Sequence, residues 1–313
     1  VHVLVTGGLG FLGHAVAREL ITTGHRVTVM TRGRRDRTLL AGIEMVKGDI
    51  RDRSRVAEIV QQGGYEGVVH LAALTSGRDS FADPLRYFDV NAGGTLNLLL
   101  ALQSVGSAAA SIALVFASTN IVYGSQRYGT LSEDLDLHPE SPYAASKVAA
   151  EHMVAAYAAT GAIGAVTIRP FNIAGAVDGV TDTDRSRIIP NIFRAISGQM
   201  NHITINGNGS AVRDFVHVAD VATAIRLSFS ACTPGTCQTI NLGSGVGTSM
   251  AAVVANAEQV TNHHVTVHRQ PPKPEPPQLV ADISRASAIL GWTPTRSNLG
   301  TILTDAWEAW PRG

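Results

Sequence analysis

Over residues 1–170, short β-rich runs alternate with longer Ala- and Leu-rich runs of helical period. That rhythm is the pattern of a parallel sheet built from βαβ units. It predicts strands at 2–6, 26–31, 43–47, 67–71, 113–118 and 165–169, each followed by turn residues or a helix. A sheet of this kind binds ligands at its strand C-termini. Beyond Pro170 the rhythm breaks into loops rich in Asp, Asn and Gly, and the pattern then predicts a strand at 212–218 and helices at 249–260 and 302–310. The expected class is α/β, a doubly wound parallel sheet with a smaller C-terminal lobe capping it. The prolines between Pro271 and Pro277 exclude helix and central strand there and predict an extended loop over a ligand.

Length and composition narrow the function. With 313 residues and 45% apolar side chains, the chain has enough material for two lobes or one large α/β unit. Its 25 basic and 25 acidic residues balance, so no long-range field recruits nucleic acid or an anionic membrane. No run of apolar residues reaches membrane-spanning length and no basic leader precedes Val1-His2-Val3, so a cytoplasmic protein is expected. Cys232 and Cys237 are the only thiols, insufficient for a disulfide framework or a four-ligand zinc site, and no metal site is expected.

The stretch Thr6-Gly7-Gly8-Leu9-Gly10-Phe11-Leu12-Gly13 follows an apolar strand and opens a helix. Glycines there permit a tight turn and let the backbone touch a pyrophosphate, while the helix N-terminus presents free N–H groups to its charge. A purely structural turn is the alternative. The second strand ends Val29-Met30-Thr31-Arg32-Gly33-Arg34-Arg35, with no carboxylate for a ribose 2′-hydroxyl. Guanidinium groups at that place suit a 2′-phosphate, so the reading leans to NADP from Thr31-Arg32, with a solvated basic loop as the rival. Asp49, followed by Ile50, suits the adenine amino group or a turn cap.

Ser141-Pro142-Tyr143-Ala144-Ala145-Ser146-Lys147 carries the candidate chemistry. Ser141 suits an N-cap and Pro142 the next position, so Tyr143 and Lys147 fall one turn apart on one helix face. A phenol titrates near 10 in water and needs a nearby cation to act as a base near neutrality. The fifth strand brings Ser118 and Thr119 to the same sheet edge, where either hydroxyl suits a substrate oxygen; a turn-forming Ser-Thr is the alternative.

Taken in order, these pieces resemble the extended short-chain dehydrogenase/reductase family, in its UDP-glucose 4-epimerase-like nucleotide-sugar branch, over nearly the whole chain. Further matching motifs are His70-Leu71-Ala72-Ala73, Asn91, Val122-Tyr123-Gly124, Arg169-Pro170-Phe171-Asn172, Arg213-Asp214-Phe215-Val216-His217-Val218 and Leu290-Gly291-Trp292. The resemblance implies a Rossmann-type dinucleotide domain over 1–170. Residues 171–313 are then mainly substrate-binding, with about 212–230 returning to the first unit. It implies that NAD(P) touches Gly7, Gly10, Phe11, Leu12, Gly13, Thr31, Arg32, Asp49 and Ile50. Further cofactor contacts would fall on Leu71, Ala72, Ala73, Asn91, Tyr143, Lys147 and Pro170. Tyr143 would be the acid-base residue, Lys147 its partner, and Ser118 and Thr119 would meet the reacting hydroxyl.

Asn172 and Arg213 would hold the diphosphate of a nucleotide sugar, UDP-linked by resemblance. Arg213, Phe215 and His217 share one face of an alternating strand, and a forked guanidinium suits phosphate oxygens. A salt bridge is the alternative for Arg213, a turn-forming side chain for Asn172, and a structural hydrogen bond is the expectation for His217. One departure is the proline-rich loop, which stands where relatives place an Arg-x-Gly-Asp-like element. Lys273 or Arg269 then substitutes for a second phosphate-binding arginine, and Leu279 falls at the position gating sugar 2-substituents.

The implied activity is a 4-epimerase working through a transient 4-keto sugar, with an NADPH-dependent 4-keto reductase as the main alternative. Asn120 and Ile121 stand where dehydratases carry Asp-Glu, which disfavours dehydratase and decarboxylase chemistry. A non-catalytic dinucleotide sensor on the same fold is the remaining class. A homodimer through the helices at 84–102 and 143–159 is also implied.

Overall fold

Seven parallel strands form the central sheet, and five of them come from the first 120 residues. In the computed structural model, which describes residues 1–33, 41–106, 112–125, 129–272 and 276–311, the chain begins with β1 (His2–Thr6), α1 (Phe11–Thr22) and β2 (Arg26–Thr31). Next come β3 (Ile43–Lys47), α2 (Arg53–Gly63) and β4 (Gly67–His70). The helical stretch after it, at 84–102 in the resemblance, is divided into α3 (Pro84–Tyr87), a π-helical turn (Phe88–Gly93) and α4 (Gly94–Ser104). β5 (Ala113–Ala117), β6 (Gly129–Leu131), α5 (Pro142–Ala159) and β7 (Gly164–Pro170) complete this half.

The second half holds β8 (Asn172–Ala174), β9 (Ala176–Val177), β10 (Val180–Thr181), α6 (Ile188–Ile196), β11 (Ile203–Asn206), β12 (Val212–His217) and α7 (Val218–Ser228). It ends with β13 (Cys237–Leu242), β14 (Gly247–Ser249), α8 (Met250–Thr261), β15 (Val267–Gln270), β16 (Gln278–Ala281), α9 (Ser284–Leu290) and α10 (Leu299–Glu308). Cys232 and Cys237 are free thiols at either end of the turn before β13, and burial pushes the Cys232 thiol up to about 12.

The sheet order is β13-β7-β5-β4-β1-β2-β3, so the winding direction reverses between β1 and β4. That reversal opens a crevice at the strand C-termini. Successive residues of β1 serve opposite layers: Val3 and Val5 pack with α1 and α7, whereas Leu4 packs with α2, α4 and α5. Each such fully buried Val or Leu contributes about 1.5–3 kcal/mol relative to exposure. β13 returns from the second half to pair with β7 along six residues, Cys237 to Leu242 against Ala165 to Pro170. The two halves are therefore woven together.

The smaller lobe hangs on β12, whose start pairs with β14 and β16 and whose end pairs with β8. β6 joins it through β16, and a separate apolar core formed by α6, α8 and α10 lies beneath. Buried Asp214 holds this lobe together, accepting the backbone N–H of Ser244, Gly245 and Ala281 at 2.7, 3.0 and 3.0 Å. No helix among the described residues is long and apolar enough to cross a membrane.

Candidate active site

A cleft of about 930 Å³ runs along the C-terminal ends of β1, β2, β4 and β5 and into the smaller lobe. At one end Gly7 adopts φ +73°, a left-handed backbone that suits glycine, and a Cβ there would lie 2.9 Å from the Ala72 nitrogen. A Cβ at Gly13 would lie 2.6 Å from the Gly8 Cα, so the loop folds against its own helix only with glycine there. The backbone thereby opens directly onto the N-terminus of α1, which has no side-chain cap. Gly10, Phe11 and Leu12 line the cleft beside these two glycines. This uncapped cradle fits a pyrophosphate.

Thr31, Arg32, Asp49 and Ile50 line the next stretch, and Leu71, Ala72, Ala73 and Pro170 its floor. The Thr31 hydroxyl donates to the Gly33 carbonyl at 2.9 Å, closing the turn after β2. Asp49 acts as a turn former while facing the cleft. It accepts the Arg51 backbone N–H at 3.0 Å and the Arg51 guanidinium at 2.8 and 3.1 Å, which holds its carboxyl below the usual range. Arg34 and Arg35 lie outside the described residues.

The chemistry-bearing residues meet at the middle of the cleft. Ser141 accepts the Ala144 N–H at 3.1 Å and Pro142 begins α5, so the predicted cap forms and both Tyr143 and Lys147 line the cleft. Ser118 and Thr119 leave β5 opposite them. The Ser118 hydroxyl is buried without a hydrogen-bond partner among the described residues, an orphaned donor facing a cleft that fits a polar ligand. The Thr119 hydroxyl accepts the Ile121 N–H at 3.3 Å and stands close enough to the Tyr143 phenol to favour its ionised form.

Burial raises the phenol above its ordinary value, opposed by the Thr119 hydroxyl and the positive charge of Arg187. The sequence argument anticipates a depressed phenol; full desolvation reverses the direction in the protein itself. Burial likewise lowers Lys147 to about 8, partly offset by Glu151, and its ammonium sits 4.5 Å over the Phe116 ring.

Two predicted residues stand apart. Asn91 is buried beneath the cleft and does not line it. Its side chain receives the Leu74 N–H at 2.8 Å and donates to the Leu74 carbonyl at 3.0 Å and to Ser146 Oγ at 2.9 Å. Arg213 turns to the proline-rich loop, its Nη1 donating to the carbonyls of Val212 and Pro276 at 2.8 and 2.9 Å, because β16 draws that loop alongside β12. Lys273 lies outside the described residues. Asn172 lines the cleft and ties it to β12 by donating to the Asp214 carbonyl at 2.8 Å. His217 makes the expected structural bonds, with Nδ1 accepting the Ala219 N–H and Nε2 at 3.0 Å from Asp305.

Sequence reasoning missed the far wall. Asp182, Asp184, Ser186 and Arg187 line the cleft opposite Tyr143, with the Arg187 Nη1 3.2 Å from Asp182 Oδ2 and 3.4 Å from the Ile173 carbonyl. Burial raises the Asp182 carboxyl, the Arg187 charge opposing it. The only local signal is a charged cluster, Asp182 to Arg187, preceding the apolar run of α6.

Residues 3–243, from the first strand through the last strand of the central sheet, match the family described as NAD dependent epimerase/dehydratase. The chain belongs to this family. Across 318 residues it is 36% identical to a UDP-glucose 4-epimerase of Streptomyces lividans, covering 97% of this chain and 94% of that protein. The UDP-glucose 4-epimerase of Brucella ovis, solved in complex with NAD, superposes with a TM-score of 0.91 at 30% identity, over 98% and 97% of the two chains. That of Stenotrophomonas maltophila, solved with NAD and formylated UDP-arabinopyranose, gives a TM-score of 0.89 at 31% identity, again over 98% and 97%. The epimerase/dehydratase family thus accounts for the doubly wound sheet, the woven second half and the position of the cleft.

Proposed function

We propose that this protein is a nucleotide-sugar 4-epimerase of the UDP-glucose/UDP-galactose type. The observation that carries the reading is the convergence of Tyr143, Lys147, Ser118 and Thr119 on one cleft that begins at a glycine cradle. The near-full-length similarity to UDP-glucose 4-epimerases supports the same assignment.

The glycine loop and the α1 N-terminus receive the dinucleotide pyrophosphate, with Asp49 and Ile50 at the adenosine end and Lys147 at the nicotinamide ribose. When bound, the cofactor accepts a hydride from the sugar and returns it. Tyr143 takes the proton of the 4-hydroxyl, and its Oη returns that proton to the 4-keto oxygen after the sugar has turned its other face. Ser118 and Thr119 hold the reacting oxygen, and the neighbouring Lys147 ammonium stabilises the phenolate. Asn172 holds the substrate from the smaller lobe. Asn120 and Ile121 stand where dehydratases carry Asp-Glu, which disfavours elimination through an acid at that position.

The cofactor is NAD. Thr31-Arg32 after β2 leans toward NADP, but the solved epimerases above carry NAD. The substrate is UDP-linked, as in those relatives. A homodimer through the α3 to α4 stretch and α5 fits the exposed side chains of Leu85, Phe88 and Leu96, with Phe81 just before them.

The test is anomeric-proton NMR of the protein with UDP-glucose, UDP-galactose and their N-acetyl forms in the presence of NAD. Interconversion of a 4-epimer pair without net NADH formation is expected, and it should disappear in Tyr143→Phe. Stoichiometric NADPH consumption on a 4-keto sugar, with no interconversion, establishes the reductase instead.

A further inference from the structure

Arg213, the arginine expected at the substrate diphosphate, gives its Nη1 to the Val212 and Pro276 carbonyls and does not line the cleft. A diphosphate drawn out of water into a cleft needs a cation in its place. Among the described residues four basic side chains line the cleft, and three belong to the dinucleotide-binding half. Arg32 leaves β2 at the adenosine end, and Lys147 follows Tyr143 on α5. Arg78 comes from the loop after β4, where a Cβ on neighbouring Gly77 would lie 3.9 Å from the Tyr143 ring. The fourth, Arg187, stands on the smaller-lobe wall immediately before α6.

The segment before Arg187 is folded so as to brace that side chain. Asp184 Oδ1 accepts the Ser186 N–H and hydroxyl at 2.8 and 2.7 Å, and Asp182 Oδ1 accepts the Asp184 N–H at 3.1 Å, which closes two linked turns. The remaining oxygen of each acid meets the guanidinium, with Nη1 3.2 Å from Asp182 Oδ2 and Nε 3.7 Å from Asp184 Oδ2. Nη1 also donates at 3.4 Å to the carbonyl of Ile173, the neighbour of cleft-lining Asn172. Nη2 has no partner among the described residues. The Asp182 side chain is 13% exposed and that of Arg187 is 41% exposed, so the pair turns its cationic member outward. A guanidinium carries five donors in a fixed fork, and one edge can rest on carboxylates while the other takes phosphate oxygens.

We propose that Arg187, braced by Asp182, is the diphosphate clamp of this protein, taking the place of Arg213. This deepens, and rests on, the reading of the substrate as a nucleotide-diphosphate sugar.

A contact to the sugar alone is the competing role for the same guanidinium. The pyranose is neutral and uncharged donors suffice for its hydroxyls, whereas a forked cation matches phosphate oxygens. The diphosphate hangs on C1, one ring across from the C4 hydroxyl that meets Tyr143. A clamp there remains within electrostatic reach of the phenol, where the Arg187 charge is felt.

The experiment is calorimetric titration of the NAD-bound protein with UDP, which has the diphosphate and no sugar, and with UDP-glucose. Arg187→Gln keeps an N–H donor for Asp182 and removes the charge. It should raise the dissociation constants of both ligands at least about tenfold and leave that of NAD within about twofold. Arg213→Gln should weaken UDP less than Arg187→Gln does. An unchanged UDP constant in Arg187→Gln overturns the proposal, and if UDP-glucose alone weakens, the residue reads the sugar instead. An equal or larger loss in Arg213→Gln also overturns it and returns the clamp to β12. Should Arg187→Gln fail to fold, Arg187→Lys keeps the charge but not the fork, and it should weaken UDP at least about threefold; a smaller effect overturns the proposal. A parent that binds NAD but not UDP defeats the nucleotide-sugar reading and the clamp together. A parent that binds UDP through Arg187 but interconverts no 4-epimers defeats the epimerase reading alone.

Discussion

Asn91 donates from Nδ2 to Ser146 Oγ at 2.9 Å, across 55 residues of sequence, and the same hydroxyl donates to the Tyr143 carbonyl at 2.7 Å. The π-helical turn holding Asn91 is thereby locked to the first turns of α5 and, through Leu74, to the loop lining the cleft. Asn91→Ala leaves a buried amide N–H and a carbonyl without partners, each worth about 1–3 kcal/mol. The expected outcome is a Tm lowered by several degrees and a fall in kcat larger than any change in KM, read from a melting curve and steady-state rates.

The glycine cradle predicts a sharper loss at Gly13. An added Cβ meets backbone on the facing turn, including the Gly8 Cα at 2.6 Å, and backbone yields less readily than a side chain. Gly13→Ala should raise the NAD dissociation constant at least about tenfold, about 1.4 kcal/mol. Calorimetric titration of the folded variant with NAD measures it, and an unchanged constant would remove this loop from the cofactor site.

His70 makes stability depend on pH. Burial lowers its pKa from 6.5 to about 3, with the Lys147 charge adding to the effect. Between these values the unfolded chain binds a proton that the folded protein refuses, so stability falls as pH decreases through that window. One such group contributes up to about 1.4 kcal/mol per pH unit. Denaturant unfolding at pH 7, 6 and 5 should show this slope, and it should be shallower in His70→Asn.

The apolar residues on the α3 to α4 stretch predict self-association. Leu85 is 79% exposed, Leu96 on α4 is also exposed, and Phe81, 64% exposed, just precedes the stretch in sequence. Sedimentation velocity should give a dimer for the parent and a monomer for Leu85→Glu with Leu96→Glu. A monomeric parent across concentrations rules the interface out.

Much of the fold is legible because its signals are local. The strands of β1 to β5, the glycine turn into α1 and the Ser141-Pro142 start of α5 each depend on a few adjacent residues, whose steric and capping preferences act without distant help. The helical spacing of Tyr143 and Lys147 follows from the same local rule. The π-helical turn escaped because its dihedral shift is subtle and the apolar pattern continues through it.

By itself, then, the sequence determined the alternating strand and helix order, the glycine cradle and the placement of Tyr143 and Lys147 one turn apart on α5. Tertiary structure alone decided that β13 joins β7, that Arg213 turns to the Pro276 carbonyl, and that Asp182 and Arg187 face Tyr143. It also decided the partners of Glu151 and Tyr123, which are 18 and 118 residues distant in Arg169 and Asn241. Such pairs are set by sheet register and by which surfaces are desolvated together. Neither quantity exists along the chain until the long loops have closed and the hydrophobic layers have packed.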